Sequence, residues 1–169
     1  METELQKELT QIIPISDISD THRRIFAEML KKQGKVRGPF IEMADRCHLI
    51  AITTIDNQPV SIGAIKKKTG SDFYPNKAGD PKNISSQFDW ELGYFYTVPK
   101  LEGHGFGKHI ASSLLKEYGD RNLMASTELT QNPAMVSILN KNGFIRYGQS
   151  WQSGMPHGNE LGLFLKCNK

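Results

Sequence analysis

Long apolar runs are missing from this sequence. Apolar residues make up 38% of it, and nowhere do they gather into the about 18 consecutive positions that a membrane-spanning helix requires. Cysteine is scarce: Cys47 and Cys167 are the only two; they could pair, but two isolated cysteines read more readily as free thiols in a reducing cytosol than as a secreted disulfide framework. Charge of one sign is not in excess. Lys and Arg number 21 against 18 Asp and Glu, a net charge of +3, and the charges are scattered, unlike the concentrated basic faces of nucleic-acid binders. Zinc-type spacing is absent, because no H-E-x-x-H occurs and Cys47-His48 and Cys167 form no ligand set, so no metal is expected. The acidic start (Met1, Glu2, Glu4) lacks the basic-then-apolar order of a signal peptide, and the expectation is a cytoplasmic protein with no membrane contact. Internal repeats, low-complexity segments and linkers are also lacking.

What remains is the composition of one globular domain of 169 residues, long enough to bury roughly 68–70% of its unfolded surface without metal or disulfide support. A first strand is expected over Leu9 to Ile15. Ser16, Asp17, Ser19 and Asp20 then offer helix caps, Ile25, Phe26, Met29 and Leu30 fall on one helical face, and Gly34 is the stop. The basic segment Lys31 to Gly38 reads as a loop, and a short second helix is expected over Ile41 to Cys47. His48 to Ile55 and Val60 to Ile65 are apolar and β-branched around the turn Asp56-Asn57-Gln58, which predicts a hairpin. Lys66, Lys67 and Lys68 read as a solvated strand end. Thr69 to Gln87 carries glycine and proline turn signals and little periodicity, so it is expected to be a long functional or mobile loop.

Phe88 to Val98 is an aromatic-rich strand that ends at Pro99 and runs into Glu102-Gly103-His104-Gly105-Phe106-Gly107-Lys108. Phe106, Ile110, Ala111, Leu114, Leu115 and Tyr118 then follow helical spacing. Leu123 to Thr127 is the next strand, and Asn132 caps a helix with Pro133 at its first position and Gly143 past its end. Phe144 to Trp151 and Glu160 to Cys167 form the last two strands around the loop Gln152 to Asn159, flanked by Trp151 and containing His157. The order predicts a mixed sheet covered by helices, with a β-α-β crossover at residues 88–127 making one parallel pair.

Ligands sit at the carboxyl ends of such strands, which draws attention to the glycine turn. Glycines at 103, 105 and 107 admit positive φ and close approach to the amides, and the helix behind them presents unpaired N–H groups and a positive dipole end that suit a phosphate. A dinucleotide fingerprint fails because Lys108 stands where the third glycine belongs. A P-loop fails because the glycines are too close and His109 follows the lysine.

Thr97-Val98-Pro99 followed by Gly103-His104-Gly105-Phe106-Gly107-Lys108, and then by Asn132-Pro133-Ala134-Met135-Val136-Ser137-Ile138-Leu139-Asn140-Lys141-Asn142-Gly143-Phe144, resembles the GNAT family of acyl-CoA N-acyltransferases. The resemblance is strongest over residues 91–144 and extends loosely, through element order, over the whole chain. It implies a single GNAT-like domain over residues 1–169 with an α/β fold: a central mixed, mostly antiparallel, twisted and splayed sheet of about seven strands flanked by helices. It also implies acetyl-CoA as co-substrate. The pantetheine would lie between the fourth and fifth strands and pair near Tyr96, Thr97 and Val98, with the pyrophosphate on Glu102, Gly103, His104, Gly105, Phe106, Gly107 and Lys108. Asn132 matches the family's asparagine and also reads as a helix cap. Two positions depart from the pattern: Glu102 replaces the usual Gln or Arg, with Lys100 and Lys108 as compensating charges, and Leu139 replaces the tyrosine that protonates the leaving thiolate, so that either Ser137, Tyr147 or water serves or the thiolate leaves without help.

The implied reaction is acetyl transfer to a primary amine. Glu91 is the catalytic candidate, a general base on the strand that leads into the glycine turn, placed by period-two alternation on one face with Gly93, Phe95 and Thr97. Its plainer reading is an ion pair with a lysine on a solvated face. The N–H of Thr97 or Val98 is the expected donor to the thioester oxygen. The acceptor stays open between a small molecule and a protein, the oligomeric state is open with a homodimer as the working expectation, and nucleic acid, through Lys31 to Arg37 and Lys66 to Lys68, is the weaker reading of the partner. The rival function is a non-catalytic acyl-CoA-binding module.

Overall fold

The computed structural model describes residues 6–154 and 158–168, so Met1, Glu2, Glu4 and His157 lie outside the described residues. The strands are β1 (Glu8–Pro14), β2 (Cys47–Ile55), β3 (Gln58–Lys67), β4 (Trp90–Thr97), β5 (Leu123–Glu128), β6 (Ile145–Gln152) and β7 (Glu160–Lys166), with helices α1 (Asp20–Gln33), α2 (Phe106–Tyr118) and α3 (Pro133–Lys141). The strands form one seven-stranded mixed sheet in the order β1-β2-β3-β4-β5-β7-β6. β1 and β2 pair antiparallel, as do β5 with β7 and β6 with β7, while β4 and β5 run parallel with Glu91 opposite Met124. The parallel pair is what the α2 crossover dictates.

By packing, the chain divides into two compact units, the first running through Ala64 and resuming at Tyr94–Glu117, the second comprising Ile65–Gly93 and the chain from Tyr118 onward. In the first, α1 starts at a reciprocal cap: the Ser19 side chain accepts from the His22 N–H while the His22 ring accepts from the Ser19 N–H. Two orphan donors of the first turn are thereby satisfied. The helix buries Phe26, Ala27, Met29 and Leu30 and ends at Gly34, and its apolar face joins Ile50, Ile52, Ile62 and Ala64 in one core with Tyr94, Tyr96 and Val98 against it. Each fully buried side chain of this size contributes about 1.5–3 kcal/mol. The β2–β3 hairpin turns through Asp56 (φ 50°) and Asn57 (φ 67°), the paired positive angles of a tight hairpin turn. The helix expected over Ile41 to Cys47 is reduced to one 3-10 turn, Ala44–Arg46. Its backbone closes only three-residue turns, such as Asp45 N–H to the Glu42 carbonyl and Arg46 N–H to the Met43 carbonyl, with Met43 and Ala44 buried and Cys47 already beginning β2.

In the second unit, the stretch Thr69 to Gln87 is neither loose nor featureless. It contains 3-10 turns at Gly70–Phe73 and Ser85–Gln87, and Phe73, Ala78 and Phe88 share a core with Met124, Tyr147, Trp151, Leu163 and Leu165. The apolar residues of the segment, Phe73, Tyr74, Ala78 and Ile84, follow neither a helix nor a strand period, which is why the sequence reads as a loop. The segment is fastened to β6: Tyr147 Oη donates to Asp80 Oδ1 at 2.6 Å and accepts from the Lys82 N–H at 2.9 Å, and the Gln149 N–H donates to the Ala78 carbonyl at 2.9 Å.

Candidate functional site

The end of β4 and the turn behind it belong to the first unit. Tyr94 sits at φ 60° inside β4, where a bulky residue is a backbone outlier. The extended repeat is interrupted there, so the alternation expected to align Glu91, Gly93, Phe95 and Thr97 does not continue through residue 94. Gln33, the last residue of α1, donates from Nε2 to the Phe95 carbonyl at 2.6 Å. Its Oε1 is buried without a hydrogen-bond partner. Thr97 is half-buried, its hydroxyl 2.9 Å from that of Ser61.

Val98 donates its N–H to the Val60 carbonyl at 2.9 Å and accepts at its own carbonyl from the Leu101 N–H at 2.9 Å. Its amide is therefore spent in the sheet, and of the two donors expected for a thioester oxygen the Val98 N–H is withdrawn. Pro99–Leu101 forms a 3-10 turn, and Gly103 (φ 80°) and Gly105 (φ 86°) carry the chain through left-handed conformations into α2. A side chain built on either glycine would meet nothing within 4 Å, so space is open over the turn. The first α2 bond runs from the His109 N–H to the Gly105 carbonyl at 3.0 Å, which places the amides of residues 106–108 in the first turn, where the helix itself supplies no acceptor. Glu102, His104 and Lys108 are exposed, as is Lys100. The donor set, open space and flanking cations fit a pyrophosphate; the carboxylate of Glu102 opposes it.

Glu91 belongs to the second unit, and the structure corrects the view of its lysine neighbours. Lys66 is not at a solvated strand end: its side chain is 12% exposed and its Nζ lies 3.2 Å from Glu91 Oε2, the Glu91 side chain being 7% exposed. The ammonium also donates to the Lys67 carbonyl and to Thr69 Oγ1 at 3.2 and 3.1 Å, and the other Glu91 oxygen, Oε1, accepts the Thr69 N–H at 2.8 Å. Gly93 makes room for this pair, since a Cβ there would stand 3.2 Å from Lys66 Cδ.

Beside the pair lies Asp72, which sequence reasoning missed. It is 4% exposed, its Oδ2 is buried with no hydrogen-bond partner, and Lys77 Nζ is 3.9 Å from Oδ1. Burial, and then the negative charge of Glu91, push the Asp72 carboxyl up to about 6 against the opposing effects of Lys77, the Ser126 hydroxyl and Lys66. The sequence signal was an acid set directly before Phe73 in a turn-forming stretch.

Asn132 serves as the α3 cap, its Oδ1 accepting from the Met135 N–H at 3.2 Å. Leu139 is fully buried on α3. Tyr147 is withdrawn from the candidates for thiolate protonation: its hydroxyl is committed to Asp80 and Lys82, and burial followed by that bond to Asp80 raises its pKa. No group of three or more His, Cys, Asp or Glu among the described residues could hold a metal ion, and no described helix is long and apolar enough to cross a membrane.

No family model matches the sequence, and no curated protein matches it. Solved structures do match. A protein of the GNAT family from Desulfovibrio desulfuricans aligns with a TM-score of 0.62 at 10% identity over 94% of this chain and 98% of its own. The Salmonella typhimurium protein yncA, solved with its cofactor acetyl-CoA, aligns at 0.61 with 14% identity over 94% and 92%. The ribosomal-protein-S18-alanine N-acetyltransferase of Escherichia coli aligns at 0.60 with 12% identity over 93% and 92%.

Proposed function

With the GNAT acyl-CoA N-acyltransferase fold as premise, we propose that this chain transfers the acetyl group of acetyl-CoA to a primary amine, a small molecule or a protein, by direct attack assisted by Glu91 as general base. The observation that carries the reading is the turn before α2: Gly103 and Gly105 leave open space over it, and the amides of residues 106–108 stand in the first helical turn, where the helix supplies no acceptor. Acetyl-CoA, when bound, supplies an acyl carbon activated as a thioester. Gly103, Gly105 and the amides of Phe106, Gly107 and Lys108 receive its pyrophosphate, with His104 on the same turn and Glu102 at its head. Tyr96, Thr97 and Val98 line the pantetheine, Val98 through its carbonyl, and Asn132 adds a polar contact from the α3 cap.

Glu91 takes the proton of the acceptor ammonium, leaving a neutral nitrogen as nucleophile. Thr97 offers its N–H to the oxygen on which charge develops. Ser137, or a water, returns a proton to the departing sulfur. The partner is an amine-bearing molecule in the cytoplasm, where the two free cysteines stay reduced, and a homodimer is the working assembly.

Binding without turnover is the second reading, favoured by one observation: the position where the family resemblance asks for a proton-donating tyrosine holds Leu139, fully buried. Thermal melting with acetyl-CoA, CoA, NAD and ATP, followed by thiol release with an amine panel, tests both readings. A ligand at about 100 times its Kd adds about 2.7 kcal/mol, or roughly 5–10 °C in Tm for a domain of this size. A shift with acetyl-CoA and CoA alone, followed by thiol release, is the expected result. The shift without release selects the binding module, and no shift removes the CoA site.

A further inference from the structure

Resting on the acetyl-transfer reading, we propose that Asp72 is a second proton-handling group, coupled to Glu91, so that the proton shed by the acceptor ammonium is held jointly by two buried carboxylates.

Glu91 has both oxygens engaged, Oε1 by the Thr69 N–H at 2.8 Å and Oε2 by Lys66 at 3.2 Å. These two contacts fix the position of the Glu91 carboxylate. Asp72 is the opposite case. Its backbone does the structural holding: its N–H donates to the Thr69 carbonyl at 3.1 Å and its carbonyl accepts from the Ala78 N–H at 3.0 Å. The side chain caps nothing in the 3-10 turn that carries it. An acid buried with an oxygen unpartnered costs stability. Thr69 connects the two residues: its N–H donates to the Glu91 carboxylate, its carbonyl accepts from the Asp72 backbone N–H and its hydroxyl accepts from Lys66.

The charged and polar groups facing Asp72 come from each neighbouring element: Glu91 on β4, Lys66 on β3, Lys77 on its own segment and Ser126 on β5. The carboxyl of Asp72, raised to about 6, lies where a group both accepts a proton and returns it to water near neutrality. The negative charge of Glu91 is one of the causes that raise Asp72, so removing that charge is expected to lower it.

An N–H bond of the ammonium breaks, its electrons stay on nitrogen, and the proton goes to the carboxylate pair. The nitrogen bonds to the acyl carbon as the C–S bond breaks with its electron pair on sulfur. A second N–H proton passes by way of Ser137 or a water to the thiolate, and the pair releases the first to water.

The test has two readouts. Carbon-13 NMR of the side-chain carboxyls, titrated without acceptor in the native protein and in Glu91→Gln, reads the coupling; glutamine keeps an oxygen for the Thr69 N–H. Thiol release from acetyl-CoA with spermidine, lysine, an aminoglycoside and an alanyl peptide, from about pH 5 to about pH 9, reads the reaction in native protein and Asp72→Asn. The expected result is an Asp72 resonance that titrates near 6 and moves down in Glu91→Gln. In Asp72→Asn, kcat falls about tenfold to a hundredfold and the acid limb of its pH profile moves, with KM for acetyl-CoA unchanged. An Asp72 that titrates in the ordinary carboxylate range or ignores Glu91→Gln overturns the pair, as does Asp72→Asn with a native pH profile. A native protein that shows the coupled titration but neither binds acetyl-CoA nor releases thiol overturns acetyl transfer and leaves the coupled pair standing.

Discussion

Lys66 Nζ and Glu91 Oε2 meet at 3.2 Å with both side chains largely out of solvent, 12% and 7% exposed. Burying two charges is costly, and their attraction repays that cost only while both are present. Replacing Lys66 by methionine keeps the aliphatic stem over Gly93 and removes the ammonium, which strands the Glu91 carboxylate. Urea unfolding at neutral pH is expected to show Lys66→Met destabilised by about 3–5 kcal/mol. The double variant Lys66→Met/Glu91→Gln recovers at least about 1 kcal/mol of the loss, a coupling that two independent sites do not show.

Glu91→Gln separates chemistry from binding. The substitution keeps the oxygen that accepts from Thr69 and removes the base. The expectation is a kcat lowered about a hundredfold or more with the acetyl-CoA melting shift intact, measured by thiol release and thermal denaturation on the same preparation. A native rate at neutral and high pH alike removes Glu91 from the mechanism.

Asp72 makes a second, acceptor-free prediction through stability. Its carboxyl rises from 3.8 to about 6 on folding, so between those values the folded state binds more protons than the unfolded state and stability falls as pH rises. The contribution of Asp72 is fully present below about 3.8 and is lost as pH passes about 6. Two pH units correspond to about 3 kcal/mol. Denaturation of native and Asp72→Asn proteins across that window is expected to show Asp72→Asn gaining on the native protein up to about pH 6 to 7, then a constant difference. A difference that does not vary with pH removes the proposed titration.

The sequence made the element order legible because its punctuation is chemical. Ser19 before α1, Gly34 after it, Asn132-Pro133 before α3 and the positive-φ pair Asp56-Asn57 act locally, and each stands in the structure where the sequence placed it. What was hidden depends on partners far along the chain. Lys66 in a run of three lysines looks solvated until Glu91, 25 positions later, draws it in. Asp72 looks like a turn residue until Phe73 and Ala78 pack beside it. Nothing in an aromatic strand marks Tyr94 as the residue that leaves the extended conformation, nor the Phe95 carbonyl beside it as the acceptor of Gln33 from α1. Val98 was a plausible free amide until Val60 took it.

Gly148 tests how firmly the Thr69 to Gln87 segment is held. It lies at φ 69° in β6, and a Cβ there would stand 2.1 Å from the Ala78 carbonyl oxygen, the same oxygen that accepts from the Gln149 N–H. Alanine meets both a left-handed backbone, costing about 1–2 kcal/mol, and a backbone atom that must retreat and break its bond, about 1 kcal/mol more. Gly148→Ala is expected to lose about 2–3 kcal/mol in urea unfolding. Gly154→Ala, where a side chain meets nothing within 4 Å, is expected to stay within about 0.5 kcal/mol. Equal effects at the two sites detach the segment from β6.

Glu102 decides whether the glycine turn is where a pyrophosphate sits. It is exposed at the head of the turn, so its repulsion of a phosphate acts through solvent and amounts to about 1 kcal/mol or less at close range. Glu102→Gln is therefore expected to tighten acetyl-CoA binding about twofold to fivefold at low ionic strength, and Lys108→Met to weaken it by a similar factor. Both effects shrink as salt rises, because exposed charges are screened within about 10 Å at 0.1 M. Calorimetric titration at low and high salt checks the pair of variants. Affinities that ignore both substitutions at low salt place the pyrophosphate elsewhere, and a weakening by Glu102→Gln makes the carboxylate a ligand-side acceptor rather than an obstacle.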